Sequence, residues 1–251
     1  TKFLLIQFFY LSYNIIFSKQ HNIFGLYMNE KLKNLLNLEN EKYIDKTKNS
    51  YIKHQNSLNV MPGGNTRTTQ WMDPYPFFVK NASGLNIHDI DGNNYLDFML
   101  NATTLILGHA HPEIVRTLSN QIKEGTVYSA PTDGQFKLAD ILVKRIPSIE
   151  KIRFTNSGTE ATMMAIMAAR SYTRKTKIAK FEGGYHGTHD HVSVSVYPKK
   201  SELNESTHPG ISEYSSQPKS ILEDVIVMPY NDIEKTKELI NKYKDDLSCI
   251  I

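Results

Sequence analysis

Residues 154–160 read Phe-Thr-Asn-Ser-Gly-Thr-Glu, and the small and apolar run Ala161-Thr-Met-Met-Ala-Ile-Met-Ala-Ala169 follows at once. Ser157 and Glu160 have the Ser-x-x-Glu spacing of a capping box, which predicts a helix with Ser157 at its N-cap. The free N–H groups at such a helix start favour a phosphate, and Gly158 would let it approach the main chain closely. Thr159 would add a hydroxyl donor. The alternative is that the box only starts a helix.

The residues on the far side of this helix favour the phosphate interpretation. Lys177-Ile-Ala-Lys-Phe181 is typical of a strand, and Glu182-Gly-Gly-Tyr-His-Gly187 is the loop that leaves it. A strand, a phosphate turn, a buried helix, a second strand and an aromatic loop together make half of a phosphate-cofactor site on a parallel sheet. The turn has no Walker lysine, so it suits a cofactor that keeps its phosphate better than a nucleoside triphosphate.

Two of these segments resemble a known family. Asn156-Ser-Gly-Thr-Glu-Ala161 and Phe181-Glu-Gly-Gly-Tyr-His-Gly187 resemble motifs of the class III aminotransferases, which are pyridoxal-phosphate enzymes of fold type I. That family includes glutamate-1-semialdehyde 2,1-aminomutases and aminotransferases acting on ω- and β-amino acids. The resemblance runs from about Met61 to the last residue. Four upstream stretches agree with it: Asp89-Ile-Asp-Gly-Asn93 with Tyr95-Leu-Asp97, Gly108-His-Ala-His-Pro112, Ala130-Pro-Thr132 and Ile146-Pro-Ser148.

The resemblance implies an α/β fold of fold type I, with a large domain built on a mainly parallel sheet and the N-terminal part of a small α+β domain. We expect residues 28–110 to form an N-terminal helix and a β-meander of the small domain. Residues 111–251 would be the first part of the cofactor-binding large domain. The final residues, from Leu247, look like a strand cut off after it begins, so we expect an N-terminal fragment of a longer enzyme.

The resemblance also implies pyridoxal 5'-phosphate as cofactor. Ser157, Gly158 and Thr159 would bind its phosphate, Tyr185 would stack on its ring, and His186 would help fix the loop. Without the neighbouring motif, Tyr185-His186 would be an ordinary turn. The family's ring-nitrogen aspartate and Schiff-base lysine match no residue here and would lie beyond the C-terminus. We therefore assign no catalytic residue and expect the chain to be inactive alone. The non-enzymatic alternative is a binding or dimerisation module of the same fold.

The segment Gly63-Gly-Asn-Thr-Arg67 suggests how substrate is held. Arg67 matches the arginine that in similar enzymes pairs with a substrate carboxylate, which a guanidinium grips with two hydrogen bonds. The alternative is an exposed surface arginine. Leu100-Asn-Ala-Thr-Thr104 lacks the tryptophan that typical semialdehyde aminomutases carry near Ala102. This departure favours an ω- or β-amino acid aminotransferase over an aminomutase.

Composition limits the partners and the compartment. The net charge is only +3, and the basic residues form no clustered stripe along the sequence. We therefore expect no nucleic-acid partner. The single cysteine, Cys249, excludes an internal disulfide and fits a reducing, cytoplasmic setting. His109 and His111, and the cluster from His186 to His191, could suggest zinc. However, both sets fall within motifs that the family explains without metal, so no metal site is expected. The family implies a homodimer with residues near 100–132 at the interface.

The first 27 residues are a separate problem. Residues 3–17 are strongly apolar, but polar residues interrupt a stretch already shorter than the roughly 20 residues of a membrane span. They are either translated upstream sequence ahead of a start at Met28 or a targeting segment, and no membrane association is expected.

The hydrophobic pattern predicts the other elements of the chain. We expect one amphipathic helix within residues 28–59 and an antiparallel meander from residue 77 to 98, with Asp91-Gly92 as a tight turn. The remaining predictions are helices at 113–124, 135–145, 158–173 and 232–244, a polar loop at 198–220, and strands at 151–155, 177–181, 192–196, 225–228 and near 248.

Overall fold

The computed structural model describes residues 30–67, 70–198 and 210–251. The chain divides into two compact units, one ending at Pro131 and one beginning at Thr132. The apolar stretch 1–27 and residues 199–209 of the predicted polar loop lie outside the described residues. The boundary between the small and the large domain, expected between residues 110 and 111, stays a prediction. Within the described part of the chain, no helix combines the length and apolarity needed to cross a bilayer.

The first unit begins with two helices where the sequence predicts one. Helix α1 spans Glu30–Lys46 and α2 spans Lys48–Leu58, separated by Thr47. The Thr47 hydroxyl donates to the Tyr43 carbonyl at 2.6 Å, and the Thr47 backbone leaves the helical region. Leu32, Leu35 and Leu38 of α1 are exposed, while Tyr43, Met72 and Tyr75 form a small core. A 3-10 turn at Pro62–Gly64 follows the helices.

The predicted meander is confirmed, with its first strand shifted toward the C-terminus. Strands β1 (Val79–Ser83), β2 (Asn86–Asp89) and β3 (Asn94–Leu96) form an antiparallel sheet in that order. The buried Asp89 carboxylate holds the β2–β3 turn, since it accepts from the Asp91 and Asn93 N–H groups and from the Tyr95 hydroxyl. The unit also contains α3 (Pro112–Glu124), which begins at the predicted proline.

The second unit is an α/β layer structure, which confirms the predicted mainly parallel sheet. Its elements are α4 (Asp133–Arg145), α5 (Gly158–Thr173), β4 (Lys177–Phe181), α6 (Lys219–Asp224), β5 (Val225–Met228), α7 (Ile233–Tyr243) and β6 (Leu247–Ile250). Strand β4 lies in the centre, hydrogen-bonded in parallel to β5 and β6. Successive β4 residues face opposite sides: Ile178 packs in a cluster with Ile166 of α5, and Ala179 in a cluster with Leu239 of α7.

Two predicted strands are wrong. Residues 151–155 form no ladder with any described segment, and a strand without a neighbour cannot satisfy its backbone groups. Residues 192–196 are buried as a strand would be, but Ser195 has φ +49° and breaks the extended backbone. Among the described residues, a single bridge, Val194 with Ser212, remains there. Helix α6 was not predicted, because its six residues follow Pro218 at the end of a polar, turn-like stretch.

Candidate functional site

The start of α5 has the capping geometry that the sequence predicts. Ser157 is the N-cap residue, and its hydroxyl oxygen accepts a hydrogen bond from the Glu160 N–H at 3.1 Å. The Glu160 carboxylate accepts from the Asn156 N–H at 2.8 Å, one residue before its partner in a standard capping box. Both contacts come from side chains of the turn itself, so they stabilise the start of the helix locally.

The same helix start is open. Asn156, Ser157 and Gly158 are exposed, and a Cβ placed on Gly158 would have no heavy atom within 4 Å. N–H groups in the first turn of a helix have no acceptor within it. Gly158 and Thr159 therefore present N–H groups at the positive end of the α5 dipole, which favours an anion such as phosphate there.

The aromatic loop, residues 182–188, packs against this turn. The Thr162 hydroxyl of α5 donates to the His186 carbonyl at 2.7 Å, and the Thr188 N–H donates to the Thr159 hydroxyl oxygen at 3.3 Å. A Cβ on Gly187 would lie 2.7 Å from that oxygen and 2.8 Å from the Thr159 Cα, so only glycine fits. The structure thus brings the predicted phosphate turn and the predicted aromatic loop together.

The two aromatic side chains of the loop have different surroundings. The Tyr185 ring is 61% exposed, which leaves it accessible for stacking. The His186 ring packs against Gly184, where a Cβ would lie 2.9 Å from Nε2. Burial lowers the pKa of His186 below its ordinary value, and the Lys180 charge lowers it further. The lowered pKa favours the neutral imidazole, which can act as a donor or acceptor within the loop.

Lys180 is a site residue that sequence reasoning missed. Its side chain on β4 is fully buried, and its Nζ donates to the Val194 carbonyl at 2.6 Å and to the Ser195 carbonyl at 3.4 Å. The Ser195 carbonyl also accepts from the Gly183 N–H at 2.9 Å, so Lys180 is linked to the first residues of the aromatic loop. Burial lowers the Lys180 pKa to about 8, opposed by the carboxylates of Glu213 and Glu182. The sequence signal that could have identified Lys180 is its place in a strand, directly after the apolar residues Ile178 and Ala179.

Arg67 lies in the first unit. It is exposed, and its Nη1 donates to the Asn101 side-chain oxygen at 3.2 Å. Its own N–H donates to the Asn65 side-chain oxygen at 3.0 Å. No Arg67 ion pair occurs among the described residues, so the guanidinium keeps its charge available.

The main chain before Arg67 forms part of a cavity wall. The cavity measures about 480 Å³ and includes Gly64, Asn65 and Thr66 in its lining. Gly64 has φ +70°, and a Cβ there would lie 2.8 Å from ring atoms of the buried His54. A side chain at residue 64 would therefore displace His54 or the loop. The rest of the lining is mainly apolar and includes Met61, Met72, Phe77, Phe78, Phe98 and Met99.

The histidines considered as metal ligands have other contacts. His109 Nε2 lies 2.7 Å from the Asp97 carboxylate, and His189 lies 3.4 Å from the Thr162 hydroxyl. Within residues 30–67, 70–198 and 210–251, no group of three or more histidine, cysteine or acidic side chains is placed to hold a metal ion.

Comparison with known proteins decides the family. The sequence profile described as Aminotransferase class-III matches residues 68–251. The chain belongs to the class III aminotransferases. A similar relative of this aminotransferase chain is the glutamate-1-semialdehyde 2,1-aminomutase of Methanopyrus kandleri. It is 43% identical over 192 residues, which make up 76% of this chain and 43% of that protein.

Solved structures agree with this class III assignment and with the predicted fold. An omega-transaminase from Sphaerobacter thermophilus is 40% identical with a TM-score of 0.75, over 80% of this chain and 46% of that chain. A structure described as a transaminase with PLP bound is 39% identical with a TM-score of 0.74, over 81% and 46%. The aminotransferase chain therefore spans less than half the length of the relatives it matches.

Proposed function

We propose that the protein to which this chain belongs is a pyridoxal 5'-phosphate-dependent aminotransferase that transfers an amino group between an amino acid and an oxo acid. The observation that carries the proposal is the open, capped start of α5 in contact with the aromatic loop. Family membership supports it, as does the similar transaminase described with this cofactor bound. The cofactor, when bound, supplies an electron-withdrawing ring that stabilises negative charge at the substrate carbon.

The residues of this chain would bind and orient that cofactor. The Gly158 and Thr159 N–H groups and the Ser157 hydroxyl would donate to the phosphate, while the α5 dipole would favour its charge. The Tyr185 ring would stack on the cofactor ring. His186 fixes the loop through the carbonyl that accepts from Thr162. These contacts hold the cofactor in place but move no proton.

Two chemical groups required by the family are proposed to lie outside these 251 residues. No residue here matches the Schiff-base lysine or the aspartate that pairs with the ring nitrogen. Lys180, the lysine nearest in sequence to the aromatic loop, is buried and donates to two backbone carbonyls. We therefore expect the chain alone to bind cofactor weakly and to show no turnover. A binding module of the same fold is the alternative, and cofactor-dependent turnover by the full-length protein would exclude it.

We propose an ω- or β-amino acid as the amino donor, with its carboxylate paired to Arg67. The missing tryptophan near Ala102 and the similar omega-transaminase support this choice. The second candidate is the intramolecular exchange of an aminomutase, which the named function of the Methanopyrus relative favours. Product analysis with a single substrate and no added oxo acid separates the two reactions.

We also propose a homodimer in the cytoplasm. Helix α3 has four apolar side chains on one face, all about half exposed or more, and a surface of this kind is typical of an interface. The four residues are Ile114, Val115, Leu118 and Ile122.

The cofactor site is tested by placing a negative charge where the phosphate should bind. In the full-length protein, Gly158→Asp should lower pyridoxal-phosphate affinity at least about tenfold, because like charges a few ångströms apart repel strongly. Absorbance titration with cofactor measures the affinity. The matched control is Gly134→Asp, since Gly134 is also an open glycine in the first turn of a helix. Equal affinities in the two variants would contradict the site.

A further inference from the structure

The Arg67 guanidinium is held by a neutral side chain. The Asn101 side-chain oxygen accepts from Nη1 at 3.2 Å, and the Asn101 Nδ2 donates to the Thr104 hydroxyl at 3.1 Å. Because both ends of the amide have a partner, its orientation is fixed. A guanidinium has five N–H donors, so the contact with one nitrogen leaves others free. An amide oxygen also leaves the positive charge of Arg67 uncompensated.

The backbone that carries Asn101 is itself unusual. Residues 100–103 form a left-handed turn, with φ values of 43°, 50°, 55° and 67°, although none of the four is glycine. Such a run is unfavourable for L-residues, so its surroundings must stabilise it. Asp97 does so, since one of its carboxylate oxygens accepts from the N–H groups of Met99 at 2.9 Å and Leu100 at 3.0 Å.

Asp97 is anchored in turn to the meander. Its other oxygen lies 2.7 Å from His109 Nε2, and the His109 backbone exchanges two hydrogen bonds with Gly84 between β1 and β2. A Cβ on Gly108 would lie 2.6 Å from the Gly84 carbonyl oxygen, so this approach requires glycine. A continuous set of contacts therefore runs from the meander through Asp97 and the left-handed turn to Asn101.

From this geometry we infer that Asn101 is a positioning residue that orients Arg67 for the carboxylate of the amino donor and so sets the preference for carboxylate-bearing donors. The inference rests on the proposed function of Arg67. This positioning role requires a neutral acceptor at residue 101. Without an acceptor, the guanidinium loses its fixed orientation. With a carboxylate at residue 101, the guanidinium is already paired and cannot bind the donor's carboxylate in the same way.

The test uses the full-length, cofactor-loaded protein with two donors of nearly the same shape, 3-aminobutanoate and 2-aminobutane. Asn101→Ala should lower kcat/KM for 3-aminobutanoate about tenfold, mainly through KM, and leave 2-aminobutane within about twofold. Asn101→Asp should cost more, about a hundredfold, because its carboxylate competes with that of the donor. Calorimetric titration with butanoate gives a binding readout independent of turnover and should weaken in the same order.

A double variant tests whether Asn101 acts through Arg67. In an Arg67→Ala background, Asn101→Ala should cause no further loss, because Asn101 acts only through the arginine. Asn81→Ala, on the exposed strand β1, is the control and should match the unmodified protein.

Three results would overturn the inference. Equal losses for the two donors, or additive losses in the double variant, would show that Asn101 is only structural while leaving Arg67 as the carboxylate partner. If Arg67→Ala itself treats both donors alike, the proposed role of Arg67 fails, and the inference fails with it.

Discussion

At the residue scale, Lys180 stabilises the loop that carries Tyr185 and His186. Its Nζ bonds two carbonyls, and one of these also accepts from Gly183 at the start of that loop. Burial removes the Lys180 ammonium from water and disfavours its charged form, which explains why the pKa of Lys180 is lowered. The contact between β4 and the loop is therefore made by a group whose protonation is sensitive to pH.

We expect the stability contribution of Lys180 to change with pH. Its folded pKa of about 8 lies below the ordinary lysine value of 10.5, so between these values the unfolded chain binds more protons. The free energy of unfolding should then rise from pH 8 to 10 relative to a Lys180→Met variant, and the difference should be constant below pH 8. Urea denaturation at several pH values measures it. If this difference in the free energy of unfolding falls with increasing pH, the pKa of Lys180 is not lowered in the folded protein.

Sequence reasoning predicts the residues of the α5 turn but not those of the left-handed turn. The capping box is local, since Ser157 and Glu160 lie within one helical turn, and the structure has its main contact. Residues 100–103 adopt a conformation that costs about 1–2 kcal/mol for each non-glycine residue, so no local rule selects it. Asp97 accepts from the first N–H groups of this turn, but its carboxylate is fixed by His109, twelve residues further along the chain.

At the element scale, α5 combines a structural and a binding role at one residue. The Ser157 hydroxyl oxygen accepts from Glu160, and its proton is free to donate to an anion. A substitution can therefore remove the cap, or keep the cap and repel the anion. The two roles are separable by choosing the new side chain.

We expect Ser157→Ala to lower the free energy of unfolding by about 1 kcal/mol through loss of the cap. Ser157→Asp should keep most of that stability, because aspartate caps as well as serine, yet should abolish most cofactor binding. Thr132→Ala removes the matching cap of α4 and should destabilise without changing cofactor affinity. Denaturation curves and cofactor titrations on the same proteins measure both quantities. Unchanged cofactor affinity in Ser157→Asp would contradict the dual role.

The strands show where element prediction succeeds and fails. Residues 177–181 and 225–228 are predicted correctly because both segments are buried and pair within the described chain. Residues 151–155 have a similar composition but no partner, and pairing is not encoded locally. Residues 192–196 alternate correctly, yet the positive φ of Ser195 and its bonds to Ile211 replace a ladder.

At the scale of the whole molecule, the exposed apolar face of α3 is the surface that we propose as the homodimer interface. Leu118 and Ile122 are 55% and 66% exposed on one side of the helix. We expect Leu118→Glu and Ile122→Glu to raise the dissociation constant of the proposed homodimer at least about tenfold, since a buried unpaired charge is costly. Asn120→Glu, on the opposite face, is the control. Sedimentation of the full-length protein measures association, and a dimer unaffected by either change would place the interface elsewhere.

The strand order β5-β4-β6 has a consequence for synthesis on the ribosome. The central strand is made first, and both of its neighbours come from later parts of the chain. Translation from Phe181 to Val225 takes on the order of several seconds, whereas local helices form within microseconds. During that interval the apolar residues Ile178 and Ala179 have no sheet to join. The nascent chain therefore carries an unpaired β4 until β5 emerges, and Lys177 and Lys180 lower its tendency to aggregate in that interval.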